Sequence, residues 1–207
     1  MSVVSKPFAP RLRDRTAPAA LPIYRLSVDQ YHQMLDAGIL TENDPVELLK
    51  GWLVQKMGKN PPHSSATLLS RQSLERLLPA GWHVRIQEPI TTEDSEPEPD
   101  VAVVRGDSRQ YVKVHPRPTD VGLLMEVSET TLEYDRGFKK GSYAEALIPI
   151  YWILNLLDNV VEVYTDPTGP GENPDYGHCH IYRAGEEIPL VIDGREVGRI
   201  AVRDLLP

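Results

Sequence analysis

Two apolar runs, each carrying a single carboxylate, constrain this chain more than any other feature. Asp100 stands directly before Val101-Ala102-Val103-Val104, and Glu126 sits within Leu123-Leu124-Met125-Glu126-Val127-Ser128. Neither run alternates apolar and polar side chains as a half-exposed strand does. Both therefore read as strands covered by helices on two sides. A lone carboxylate in such a strand is costly unless a cation or hydrogen bonds compensate it. Two of them, on strands close enough in sequence to pair, point to a shared counter-ion. A helix bearing Asp135, Lys139, Lys140 and Tyr143 follows at once. Two acids for a hard divalent metal, with a lysine nearby, are a common device for cutting a phosphodiester.

The surrounding pattern predicts an α/β (α+β) domain with a mixed central β-sheet flanked by helices. Ser27-Val28-Asp29-Gln30 fits a capping box, with Gly38 as the helix stop. Val46 to Met57 reads as two strands about a turn at Lys50-Gly51. A helix over 63–78 directs Leu68, Leu69, Leu74, Leu77 and Leu78 to the core. Strands follow from Trp82 to Ile90, Val101 to Val104 and Val121 to Val127, then a helix from Tyr134 to Leu147 that Pro149 ends. Tyr151 to Leu156 and Val160 to Thr165 form a hairpin about Asp158-Asn159. His178 to Arg183 and Ile188 to Ile192 complete the sheet. The two acids are expected towards one edge of it. The acidic run Glu93, Asp94, Glu96, Glu98 reads as a solvated loop leading in.

Composition narrows the setting. The single cysteine, Cys179, excludes an intramolecular disulfide and suits a reducing, cytoplasmic environment. No apolar stretch approaches the roughly 20 residues of a membrane helix, and the first residues lack the apolar core of a secretory signal. The net charge of −8 argues against a broad basic surface for nucleic acid. That charge is uneven: Lys6, Arg11, Arg13, Arg15 and Arg25 face Asp14 alone in the first 25 residues. Residues 1–23 read as a flexible basic arm, solvated or in contact with phosphates, ahead of a single domain over 24–207.

Three segments resemble a known family. They are Glu96-Pro97-Glu98-Pro99-Asp100-Val101-Ala102-Val103-Val104, the run from Glu126-Val127-Ser128 through Tyr134-Asp135-Arg136-Gly137, and Tyr151-Trp152-Ile153-Leu154. They are similar to the restriction-endonuclease-like nucleases, a bacterial family long defined as a domain of unknown function and placed in the PD-(D/E)XK superfamily. The resemblance covers about 24–206. It implies a restriction-endonuclease-like fold and a Mg²⁺-dependent endonuclease acting on DNA, with Mn²⁺ able to substitute. Cutting both strands with one site per chain is most simply done by a two-fold homodimer, for which Ile181, Ile188 and Val191 on the terminal strands offer an apolar surface.

Carried over by position, the resemblance makes Asp100 and Glu126 the metal ligands and Glu47 an additional acid completing the metal shell. The superfamily's lysine two residues after the second acid is Ser128 here, and the resemblance moves it to Lys139. Asp135, Lys139 and Tyr143 share a helix face, while Lys140 lies about 100° away. Gln87 and His63 also match recurrent positions. Two departures stand out: Leu147-Ile148-Pro149-Ile150 replaces Gly-Ile-Pro-Glu, and Asn155 replaces an aspartate.

Each residue also has a plainer reading. Asp135 and Lys139 can form an i, i+4 ion pair worth ~0.3–0.5 kcal/mol; Glu47 can sit at a solvated strand edge; Gln87 can be a structural side chain and His63 a capping or core histidine. His178-Cys179-His180 divides its side chains between two strand faces, which does not suit zinc. A second function class also stays open, a catalytically inactive nuclease fold that binds DNA or protein. The acidic body and the missing strand lysine favour it; Asp100, Glu126 and Lys139 favour the enzyme.

Overall fold

All eight residues of Val121–Ser128 are buried, as the unbroken apolar run requires. The computed structural model describes residues 22–41 and 43–207. Its elements, in chain order, are α1 (Val28–Asp36), the hairpin β1 (Val46–Leu49) and β2 (Trp52–Gln55), and α2 (Pro61–Glu75). Then come β3 (Trp82–Ile86), β4 (Val101–Arg105) and β5 (Val121–Ser128). A helical crossover follows, made of α3 (Leu132–Tyr134), a π-helical turn (Asp135–Lys139) and α4 (Lys140–Glu145). The chain ends in β6 (Ile150–Asn155), β7 (Val160–Pro167), β8 (Tyr176–Arg183), β9 (Glu187–Ile192) and β10 (Arg195–Ala201). Arg11, Arg13, Arg15 and nearly all of the basic arm lie outside the described residues.

The central sheet is mixed and six-stranded, in the order β3-β4-β5-β6-β7-β8. Only β5 and β6 run parallel, and a parallel pair needs a crossover of a dozen residues or more. That crossover brings Lys139 over the sheet. Strand alternation then divides the apolar runs between two cores. Val101, Val103, Leu123, Met125 and Val127 pack against Ala66 and Leu74 of α2 and against Ile188, Leu190 and Ile200 of β9 and β10. Ala102, Val104 and Leu124 pack on the opposite face with Tyr143, Ala144, Tyr151 and Ile153.

Several expectations change in three dimensions. One cover is a helix together with a hairpin, because β9 leaves the sheet and pairs with β10 alone. Ile188 is fully buried in the chain's own core, so it cannot form a dimer surface. Leu68 of α2 is exposed, and the small Ala66, Thr67, Ser70 and Ser73 make the contacts that let this helix approach the sheet. The loop holding Glu96 is solvated only at Glu93 and Asp94. Glu96 is buried, 2.7 Å from His32 Nε2 and accepting a hydrogen bond from Thr91 Oγ1 at 2.7 Å, which ties α1 to the body.

Local chemistry accounts for the remaining joints. Ser27 and Gln30 form the reciprocal capping box, and Gly38 at φ +67° ends α1. Lys50 and Gly51 both adopt positive φ, the two-residue turn whose twist matches a hairpin. Leu147 stands where the resembled family has glycine, and its φ of +60° costs roughly 1 kcal/mol for a side-chain-bearing residue. Asn155 donates to Asp158 Oδ2 at 2.9 Å and to Glu162 Oε1 at 3.3 Å. An ionised aspartate there would accept only, and would repel both partners.

Candidate active site

One step beyond the last paired residues, Val101 and Met125, the register sets Asp100 opposite Glu126. Both lie on the face that packs against α4, at the ends of inner strands and not at a lateral edge of the sheet. The Asp100 backbone N–H donates to Glu126 Oε2 at 3.4 Å, and the Val127 N–H donates to Asp100 Oδ2 at 2.9 Å. The two strand ends are therefore cross-linked through the two carboxylates.

Each acid has its own set of partners. His63, near the start of α2, places Nε2 3.0 Å from Asp100 Oδ2, and Gln87 donates from Nε2 to Oδ1 at 3.2 Å. Gln87 reaches this position at φ +53°, a strained backbone held because its N–H also reaches the Pro99 and Asp100 carbonyls. Both residues are thus hydrogen-bonded to Asp100. Lys139 Nζ donates to Glu126 Oε1 at 2.9 Å, and Tyr143 donates to the same oxygen at 2.7 Å. Glu47 is buried, so the solvated-edge reading fails; it accepts from the Glu98 N–H at 2.9 Å, and its Oε1 lies 4.0 Å from Lys139 Nζ.

The plainer reading of Asp135 and Lys139 as an ion pair fails, since Lys139 turns to Glu126. Asp135 accepts from Ser128 Oγ and Thr131 Oγ1, both at 2.6 Å. Ser128 is fully buried beneath the site, where it anchors the π-helical turn. The turn keeps Asp135, Lys139 and Tyr143 on one buried side. Lys140 points elsewhere, to Asp175 at 2.8 Å. Arg25 is exposed with its guanidinium 5.7 Å from the Trp52 ring, away from the cleft.

Electrostatics follow from this crowding. Burial pushes the Glu126 carboxyl up to about 8; Lys139 opposes the shift, and Asp100 and Asp135 add to it. For Asp100 burial also acts upward, but the His63 hydrogen bond and charge, with the Val127 N–H, outweigh it and hold the group low. Burial works against the Lys139 ammonium, yet Glu126, Glu47 and Asp135 keep it protonated. Burial raises Asp135.

The cleft over these groups is walled by residues 55–60, Glu98, Glu129, Thr130, Thr131 and Tyr134. Two tyrosines beside these acids had no role assigned from the sequence. Tyr143 was legible, four residues beyond Lys139 on the same face. Tyr134, whose hydroxyl is buried without a partner, had no sequence signal beyond standing next to Asp135.

The donor set suits a hard cation. Asp100 and Glu126 offer oxygen ligands side by side, with Glu47 buried behind them and Lys139 the one ammonium among the three. Among the described residues no three His, Cys, Asp or Glu side chains converge as a ready cage. Mg²⁺ is ordinarily held by one or two carboxylates with waters completing its shell, so two acids with Glu47 behind them fit that habit.

This charge balance has a pH consequence. A carboxyl neutral in the folded chain and ionised in the unfolded one releases its proton on unfolding, so stability falls as pH rises. In a chelator, the Glu126 contribution should be present below about pH 4.5 and lost as pH approaches about 8. Thermal melts should show Glu126→Gln losing less stability than the parent across that window. Parallel curves for the two proteins would contradict a neutral Glu126.

A family model, Uma2, with the description "Putative restriction endonuclease", matches residues 28–198. Among solved structures the chain is similar to "a putative nuclease belonging to DUF820 from Anabaena variabilis", with 14% identity and a TM-score of 0.63. The match covers 87% of this chain and 97% of that one. At this identity the likeness speaks for the fold. No curated protein matches the chain.

Proposed function

Because the chain belongs to the Uma2 family of restriction-endonuclease type, we propose that it hydrolyses DNA phosphodiesters at the Asp100–Glu126 cleft with Mg²⁺ or Mn²⁺. The observation carrying this reading is the meeting of two buried carboxylates at paired strand ends, with a lysine ammonium 2.9 Å from one of them.

A divalent cation bound by Asp100 and Glu126, with Glu47 behind, would supply Lewis-acid activation of water and neutralise phosphate charge. His63 and Gln87 hold Asp100 in one orientation, and Tyr143 does the same for Glu126. Lys139 would stabilise charge building on the scissile phosphate or orient the attacking water. Its place on the crossover lets it serve as the cation that Ser128 cannot be. Two copies about a two-fold axis would address both strands of a duplex.

Supercoiled plasmid should be nicked or linearised with Mg²⁺ or Mn²⁺ and left intact with EDTA. Binding of the plasmid without cleavage under either metal would replace this reading with the inactive binding module.

A further inference from the structure

The long connection between β4 and β5, residues 106–120, contains only two short 3₁₀ turns, Ser108–Tyr111 and Pro118–Asp120. Long connections of this kind in compact domains are often functional. On a chain of net charge −8, residues 106–120 carry Arg109, Lys113 and Arg117 against Asp107 and Asp120, with Arg105 just before them. Arg105 pairs with Asp193, whereas Arg109, Lys113 and Arg117 make no ion pair among the described residues. Asp107 and Asp120 accept from the backbone N–H groups of Arg109 and Arg117, which shapes the loop.

The base of the loop is fixed and its tip is open. Tyr111 donates to the Arg105 carbonyl at 2.7 Å, and its ring lies 5.7 Å from the Arg85 guanidinium and 6.0 Å from the His83 ring. The returning end is held by the Thr91 N–H on the Pro116 carbonyl at 2.9 Å. His115 there lies 3.9 Å from Glu96, two residues before Glu98 in the cleft wall. Between these anchors Val112 is 78% exposed and Val114 63%, on either side of exposed Lys113.

We propose that this loop is a second contact surface for duplex DNA, outside the cleft, with Arg109, Lys113 and Arg117 on backbone phosphates. Val112 and Val114 would pack on the sugars and groove edge that lie between those phosphates, the apolar part of a backbone-following contact. Exposed cations that make no ion pair among the described residues, on an otherwise acidic protein, are complementary to a polyanion, and the anchored base spares the cost of ordering the loop. The inference rests on the nuclease reading above, and its test separates the two.

The test measures fluorescence anisotropy of a labelled duplex oligonucleotide against the full chain in EDTA, across a salt titration. The triple variant Arg109→Ala, Lys113→Ala, Arg117→Ala should bind at least about tenfold more weakly at low salt. Its log–log salt slope should be shallower by about 2–3, at roughly 0.9 per lost phosphate contact. Val112→Ser with Val114→Ser should weaken binding and leave the slope unchanged. If the parent binds and cuts DNA but the triple variant keeps its affinity and slope, the loop inference is overturned and the nuclease reading stands. A parent that neither binds nor cuts DNA overturns both.

Discussion

Lys139→Ala should lower DNA cleavage by two or more orders of magnitude, the scale for removing a cation that stabilises charge in the transition state. The same change should destabilise the fold, and by more than a surface helix pair would. Lys139 is buried beside Glu126 at 2.9 Å and Glu47 at 4.0 Å. Removing one partner of such a buried arrangement costs up to about 3–5 kcal/mol where Glu126 is ionised, above about pH 8, because its charge is then left uncompensated. Protonation of Glu126 offers relief, so the loss of stability should be smaller at acidic pH. Assays should therefore run well below both melting temperatures. Lys140→Ala is the internal control. Its partner Asp175 is half exposed, so the change should cost at most ~1 kcal/mol and leave cleavage near the parent rate. An inactive Lys140→Ala beside an active Lys139→Ala would reassign the lysine.

Asp100→Ala should abolish the rise in melting temperature that Mn²⁺ or Mg²⁺ confers on the parent, and cleavage with it. Binding to the folded state alone stabilises by about 2.7 kcal/mol at a hundredfold excess over Kd, a shift that a thermal melt resolves. The alanine variant also strands three donors, the Val127 N–H, Gln87 Nε2 and His63 Nε2. The buried Val127 N–H left unpaired costs about 1–3 kcal/mol, and the part-buried His63 and Gln87 donors less, so the metal-free baseline should fall as well. Asp100→Asn keeps an acceptor while removing the charge; it should recover part of that baseline without recovering the metal increment. An undiminished increment in Asp100→Ala would place the cation elsewhere on the protein.

The site was legible to different depths in different residues. Asp100 and Glu126 stood out because a carboxylate in a doubly covered strand conflicts with its surroundings, and that conflict is visible within one short segment. Lys139 came from the resemblance, and helical spacing added only that Asp135, Lys139 and Tyr143 share a side, since four-residue steps keep side chains together. Gln87 and His63 were visible only as matching positions; their hydrogen bonds to Asp100 depend on how β3 and α2 close around β4. Ser128, at the position of the superfamily's lysine, supports Asp135. Its direction follows from strand alternation, but its partner comes from the π-helical turn above it.

What the sequence by itself determined was burial along each segment: the two-sided cover of β4 and β5, the β1–β2 turn, the cap of α1 and the face shared by Asp135, Lys139 and Tyr143. Periods of two and 3.6 residues encode which way a side chain points within its own element, so these features need no distant information. Only the tertiary structure decided who meets whom. Glu47 comes to within 4.0 Å of Lys139 across a long separation in sequence, Glu96 turns from a solvated acid into the buried clasp of α1, and β9 leaves the sheet to cover it with β10. Periodicity carries no record of these partners, because contact between distant segments is settled by which packing of the whole chain buries the apolar faces while still pairing the buried charges.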